Sequence, residues 1–185
     1  MTGEIHTQAA ALPYRVNADG NLEVLLVRRV EKAKWGIPKG LLLDPPRTSP
    51  EQDEPQASAP GPRGPAEQDA SQADDRDSPA TPCRGSAPAV SHLQDTARSE
   101  AAQEAGALGE LSESPIGYFA FKKWGGICHV TVFLMRVTRL LPEYPEQDAR
   151  LRQWFDLASA AEVARRKAVR NLILDLPHLI EQHPV

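Results

Sequence analysis

The chain has little of several things that would settle its class directly. It has two cysteines, Cys83 and Cys128, neither in a metal-ligand spacing, so no disulfide framework and no zinc site is expected. It has no apolar run near the ~20 residues of a membrane span. Met1-Thr2-Gly3-Glu4 lacks the basic-then-apolar pattern of a secretory signal. It has no excess of basic residues: the formal net charge is -4, so no overall field recruits nucleic acid or a membrane surface. A cytoplasmic protein is expected.

A more local shortage divides the chain. Residues 45–90 hold ten of the 17 prolines, and Val90 is their sole member of the set Leu, Ile, Val, Met, Phe, Trp and Tyr. Such a Pro, Ala and acidic stretch cannot offset the entropy of ordering its backbone, so a disordered insertion is expected there. It carries eight acidic and four basic residues, leaving 17 of each sign elsewhere. The other 139 residues suffice for one core, and a single domain over residues 1–185 with this interruption is expected.

Thr7 to Val16 reads as a strand, Asn17 to Asn21 as a turn and Leu22 to Val27 as a second strand, together a hairpin. Lys34-Trp35-Gly36-Ile37-Pro38 is extended, as Pro38 requires of Ile37. Ser91 with Gln94 suggests a capping box, opening a helix that stops at Gly106. Strands are expected over residues 115–121 and 127–137 and at Trp154-Phe155, with a turn over 122–126. Helices follow over residues 158–166 and 167–176. Strands, a helix, strands and then helices indicate a layered α+β domain.

Within that plan, Glu100, Gln103 and Glu104 stand at i, i+3 and i+4, on one face of the first helix. Like charges so placed repel unless a cation lies between them. Two carboxylates and an amide carbonyl suit a hard cation, Mg²⁺ or Mn²⁺. The Lys39-Gly40 turn would bring backbone groups to the same place. Such an ion can polarise a phosphoryl oxygen and acidify a bound water. A solvated helix face is the competing reading, and it is the better one for Glu100 and Glu104 taken alone.

Trp35-Gly36-Ile37-Pro38-Lys39-Gly40 and Ser99-Glu100-Ala101-Ala102-Gln103-Glu104-Ala105-Gly106-Ala107 together resemble the two halves of a Nudix box. Gly40 and Glu100 lie 60 positions apart, about 45 more than the family spacing, close to the length of the apolar-poor stretch. Two readings thus locate one insertion, residues 45–90, inside the box. Ser99 stands where the box has arginine, Gln103 where it has glutamate, and Pro46 or Ser91 where it has its upstream glutamate. The residues 7–15 and Tyr144-Pro145-Glu146, followed by Arg152-Gln153-Trp154-Phe155, are similar to bacterial members near the diphosphoinositol polyphosphate and dinucleoside polyphosphate hydrolases.

The resemblance implies an α/β/α sandwich with a mixed β-sheet, interrupted by the insertion. It implies hydrolysis of a diphosphate joined to another group, with a small phosphorylated molecule as substrate. Glu100 and Glu104 would be catalytic; Lys39, Glu100, Gln103 and Glu104 would hold the metal. Arg28, Arg29, Lys39, Gly40, Lys122 and Lys123 would bind substrate, and Trp35, Pro38, Gly106 and Trp154 would be structural. Arg150 and Arg152 either line the site or cover Trp154 with their stems. His129, in an apolar strand, reads as a structural histidine, and Trp35 or Trp124 could stack a base. Glu143 and Glu146 fall on a loop where the family sometimes adds an acid. The altered box leaves a second expectation, a phosphorylated-ligand binding module with little catalysis.

Overall fold

The computed structural model describes residues 5–42, 89–123 and 125–185. The disorder expected over residues 45–90 lies outside the described residues, except at its end, where Ala89 caps a helix that begins at Val90. Trp124 also lies outside them.

Strand β1 (Ile5–Val16) and strand β2 (Leu22–Arg29) form the expected antiparallel hairpin, with Tyr14 opposite Val24. The Asn17 side chain closes the turn by accepting from the amides of Asp19 and Asn21 at 3.0 and 2.9 Å. Gly20 supplies its positive φ of 82°. The Trp35-Gly36 segment bridges back to Val27, and strand β3 (Lys39–Leu41) pairs with β1. After helix α1 (Val90–Ala105) come β4 (Ala107–Leu111), β5 (Gly117–Lys123), β6 (Gly126–Leu140) and β7 (Arg150–Asp156). Helices α2 (Leu157–Val163), α3 (Lys167–Leu174) and α4 (Leu176–Gln182) end the chain. The sheet order is β4-β6-β1-β2-β7, with β3 on β1 and β5 on β6. The β1–β6 pair is parallel and the others antiparallel, so the sheet is mixed as expected.

Alternation along the central strands explains the layers. Ala9 and Ala11 of β1, with Phe133 and Met135 of β6, pack against Leu93, Ala97, Ala101 and Ala105 of α1. Ala10, Leu12 and Tyr14, with Val130, Val132 and Leu134, pack against Ala160, Val169, Ile173 and Leu176 on the other face. Small side chains on both β1 and α1 let the helix lie close to the sheet, which sets the depth of its carboxylates.

Some expectations change. No capping box forms at Ser91: the N-cap is Ala89, among the described residues no side chain caps α1, and the Gln94 amide instead donates to the carbonyls of Ser112 and Glu113 at 2.8 and 3.2 Å. Strand β4 carries no run of large apolar residues, and the sequence did not reveal it. The turn expected at Lys122 begins later, since β5 continues through Lys123. One helix over residues 167–176 becomes two, because Pro177 near the start of α4 cannot continue a hydrogen-bonded helix. His129 is exposed rather than structural; its buried strand neighbours are Cys128 and Val130. Cys128 is a buried free thiol, and among the described residues no helix is long and apolar enough to cross a membrane.

Candidate active site

Helix α1 ends at Gly106, whose φ of 60° places it in the left-handed region that favours glycine. Arg152 reinforces this end: its guanidinium donates to the carbonyls of Ala105 and Leu141 at 2.6 and 2.7 Å. The Arg15 guanidinium lies over Trp154, 4.2 Å from the ring centre. The end of α1 is thereby pinned to the 141–150 connection.

On the pinned helix, Glu104 is 3 % exposed and Glu100 is half-buried. One Glu104 oxygen accepts from the Lys39 amide at 3.3 Å, and the other pairs with the Arg150 guanidinium. Glu100 lies against Gly40 so closely that a Cβ there would collide with its carboxylate. The two box halves thus meet although 60 positions separate Gly40 from Glu100.

Gln103 departs from the expected ligand set. At about 100° per residue it lies about 60° from Glu100 on the side opposite Glu104, at the edge of their face, and it does not line the cleft. Its exposed amide donates to the Ser99 hydroxyl at 2.6 Å.

Burial raises the Glu104 pKa to about 7, outweighing the Arg150 and Lys39 charges, while Glu100 adds to the rise. Burial also raises that of Glu100, helped by Glu146. Burial lowers that of Lys39; Glu104 opposes this, and Lys123, Arg150 and Arg166 strengthen it.

These groups line a cleft of about 770 Å³. It holds three acids, Glu100, Glu104 and Glu146, against ten basic residues. Arg28, Arg29, Lys39, Lys122 and Lys123 were expected there, with Arg150 as one of two options, and Lys34 lines it with them. Lys32, Arg165 and Arg166 were not. Arg166 stacks over Phe121, 3.7 Å from the ring centre, and burial followed by the Arg165 charge lowers its pKa. The only sequence signal for this pair was two adjacent arginines at a helix boundary. Trp35 lines the cleft while packing edge-on against Phe155 at 5.1 Å. Pro38 is buried, and its carbonyl accepts from the Ala11 amide at 3.1 Å. Trp154 packs into the α1-side core. Glu143 is exposed and does not line the cleft.

A hard divalent ion fits the chemistry of Glu100 and Glu104, two oxygen-donor side chains on successive turns. Among the described residues, no three His, Cys, Asp or Glu side chains already converge on one point. The remaining ligands would be water and substrate oxygens, as is usual for Mg²⁺.

A mixed sheet lies between α1 and a second helical layer, and Gly40, expected in a turn, sits on strand β3 facing α1, in a Nudix-like fold. The C. elegans Ap4A hydrolase superposes with a TM-score of 0.57 at 16% identity, over 96% of this chain and 99% of that one. The Nudix domain of Shewanella oneidensis NrtR, solved with ADP ribose, superposes with a TM-score of 0.55 at 13% identity, over 95% and 88%. In sequence, Nudix hydrolase 13, mitochondrial, of Arabidopsis thaliana is 35% identical over 89 residues, 43% of this chain and 44% of that protein. The chain thus spans less than half the length of that curated relative. No family profile matches. These comparisons show a Nudix-like fold, with sequence similarity to Nudix hydrolases over less than half of the chain.

Proposed function

We propose that the chain is a metal-dependent hydrolase of a diphosphate linked to another moiety, with dinucleoside polyphosphates or diphosphoinositol polyphosphates as the leading substrates. The observation that carries this reading is the cleft's charge pattern. Basic side chains from β2, β3, β5, β7 and the α2–α3 connection surround the carboxylates of α1. Such a concentration of cations repels itself and is relieved by a ligand of high negative charge. A divalent ion, Mg²⁺ or Mn²⁺, would be held by Glu100 and Glu104 and would supply Lewis acidity and an activated water. The protein's own part is to hold the carboxylates against Lys39 and Gly40 of β3. Lys39, Lys123 and Arg166 would offset phosphate charge, and Glu146 would orient or deprotonate the attacking water.

Incubation with Mg²⁺ or Mn²⁺ and a panel of diadenosine polyphosphates, nucleoside diphosphate sugars and diphosphoinositol polyphosphates tests the reading. Metal-dependent cleavage by the wild type, reduced at least ~100-fold in Glu104→Gln, is expected. A panel left intact while one member binds would support the other reading, a binding module. That alternative is favoured by Gln103, a neutral residue outside the cleft, so that α1 supplies two carboxylates, Glu100 and Glu104.

A further inference from the structure

Arg150 joins acids from two elements. Its Nη2 pairs with Glu104 Oε1 on α1, and its Nε pairs with Glu146 Oε2 on the loop before β7. The Arg150 side chain is 14% exposed and that of Glu104 is 4% exposed, so the pair is little screened by water. Since the Lys39 amide takes the second Glu104 oxygen, both oxygens already have partners. Ser99, on the same helix, bonds to Gln103 and adds nothing to these carboxylates. The loop has backbone anchors of its own. The Glu146 amide donates to the Gln103 carbonyl at 3.1 Å, and the Arg150 amide donates to the Glu146 carbonyl at 2.9 Å.

Building on the metal-dependent reading above, we propose that Arg150 is the site's resident counter-ion, a positioning residue that holds Glu104 and yields that carboxylate to the incoming divalent cation. Guanidinium and metal ion compete for the same oxygen, so Arg150 sets the metal affinity of the site. The displaced guanidinium stays tethered to Glu146 at the wall of the cleft, where it faces a substrate phosphate.

Mn²⁺ titration of the full chain, by calorimetry or by the loss of free-ion paramagnetic signal, reads this directly and needs no substrate. Arg150→Met should bind Mn²⁺ at least ~10-fold more tightly than the wild type, about 1.4 kcal/mol. Arg150→Lys, a point charge that cannot span both acids, should fall between them. The metal-free Met variant should melt lower, and Mn²⁺ should raise its melting temperature by more than it raises that of the wild type. Equal or weaker binding by a folded Met variant, beside a wild type that binds, overturns the counter-ion role and leaves the metal-dependent reading standing. Absence of binding by either protein overturns both. Should Arg150→Met fail to fold, Arg150→Lys binding no more tightly than wild type overturns the role.

Discussion

Gly40→Ala separates the stability of the fold from the assembly of its site. The added Cβ would occupy space now filled by the Glu100 carboxylate, with Oε2 at 2.7 Å and its other atoms closer. Gly40 does not have a positive φ, so alanine meets no backbone strain. Replacing glycine there stabilises by about 0.4–1 kcal/mol through the unfolded chain. Moving Glu100 to a poorer rotamer costs about 0.5–1.5 kcal/mol. These nearly cancel, so the metal-free melting temperature should stay within a few degrees of wild type. The displaced carboxylate, however, no longer reaches the ion. Mn²⁺ affinity should fall about 10–100-fold and turnover about 100-fold, since a misplacement near 1 Å has that effect. Calorimetric Mn²⁺ titration, a thermal melt and a rate on one cleaved substrate complete the assay. Unchanged metal affinity would refute the placement of Glu100, and a melting temperature lowered by ten degrees or more would refute the steric argument.

Gly106→Ala should behave in the opposite way. Its φ of 60° costs an L-residue about 1–2 kcal/mol, and the new Cβ would lie 2.5 Å from the Arg152 guanidinium, so thermal melting should show a loss of several degrees. Arg166→Gln should raise KM about 10-fold for a substrate with extra phosphates, leave kcat nearly unchanged and flatten the salt dependence of KM; an unchanged KM would remove Arg166 from the ligand's path. The raised Glu104 pKa makes its contribution to metal-free stability greatest below about 4.5, and the contribution is lost as pH rises through about 7. Melts across pH 4.5–8 should show that decline, and Mn²⁺ should stabilise more at pH 8 than at pH 5, because binding requires the deprotonated carboxylate. Equal Mn²⁺ stabilisation at both pH values would count against Glu104 as a ligand.

The features legible in the sequence are those with local causes. The β1–β2 hairpin follows from turn residues between two apolar runs, and the end of α1 follows from Gly106. The shared face of Glu100 and Glu104 follows from helical periodicity, whereas the turning of Gln103 toward Ser99 shows only in the structure. Tertiary structure decided what joins that face. Arg150 enters because β7 pairs with β2 in a register that puts it opposite Arg29, at the cleft wall. Arg165 enters because its amide donates to the Trp35 carbonyl at 2.9 Å, and Arg166 because its guanidinium finds the Phe121 ring. Strand β4 forms because the edge of β6 offers hydrogen-bond partners to a segment with weak apolar patterning. Local backbone preference and side-chain periodicity act over a few residues and leave their mark in the sequence. Strand register and the meeting of charges from distant segments depend on the packed whole, so the acids and the basic residues of β2, β3 and β5 were readable from the chain, and Arg165, Arg166 and the Arg150 pairing only from the fold.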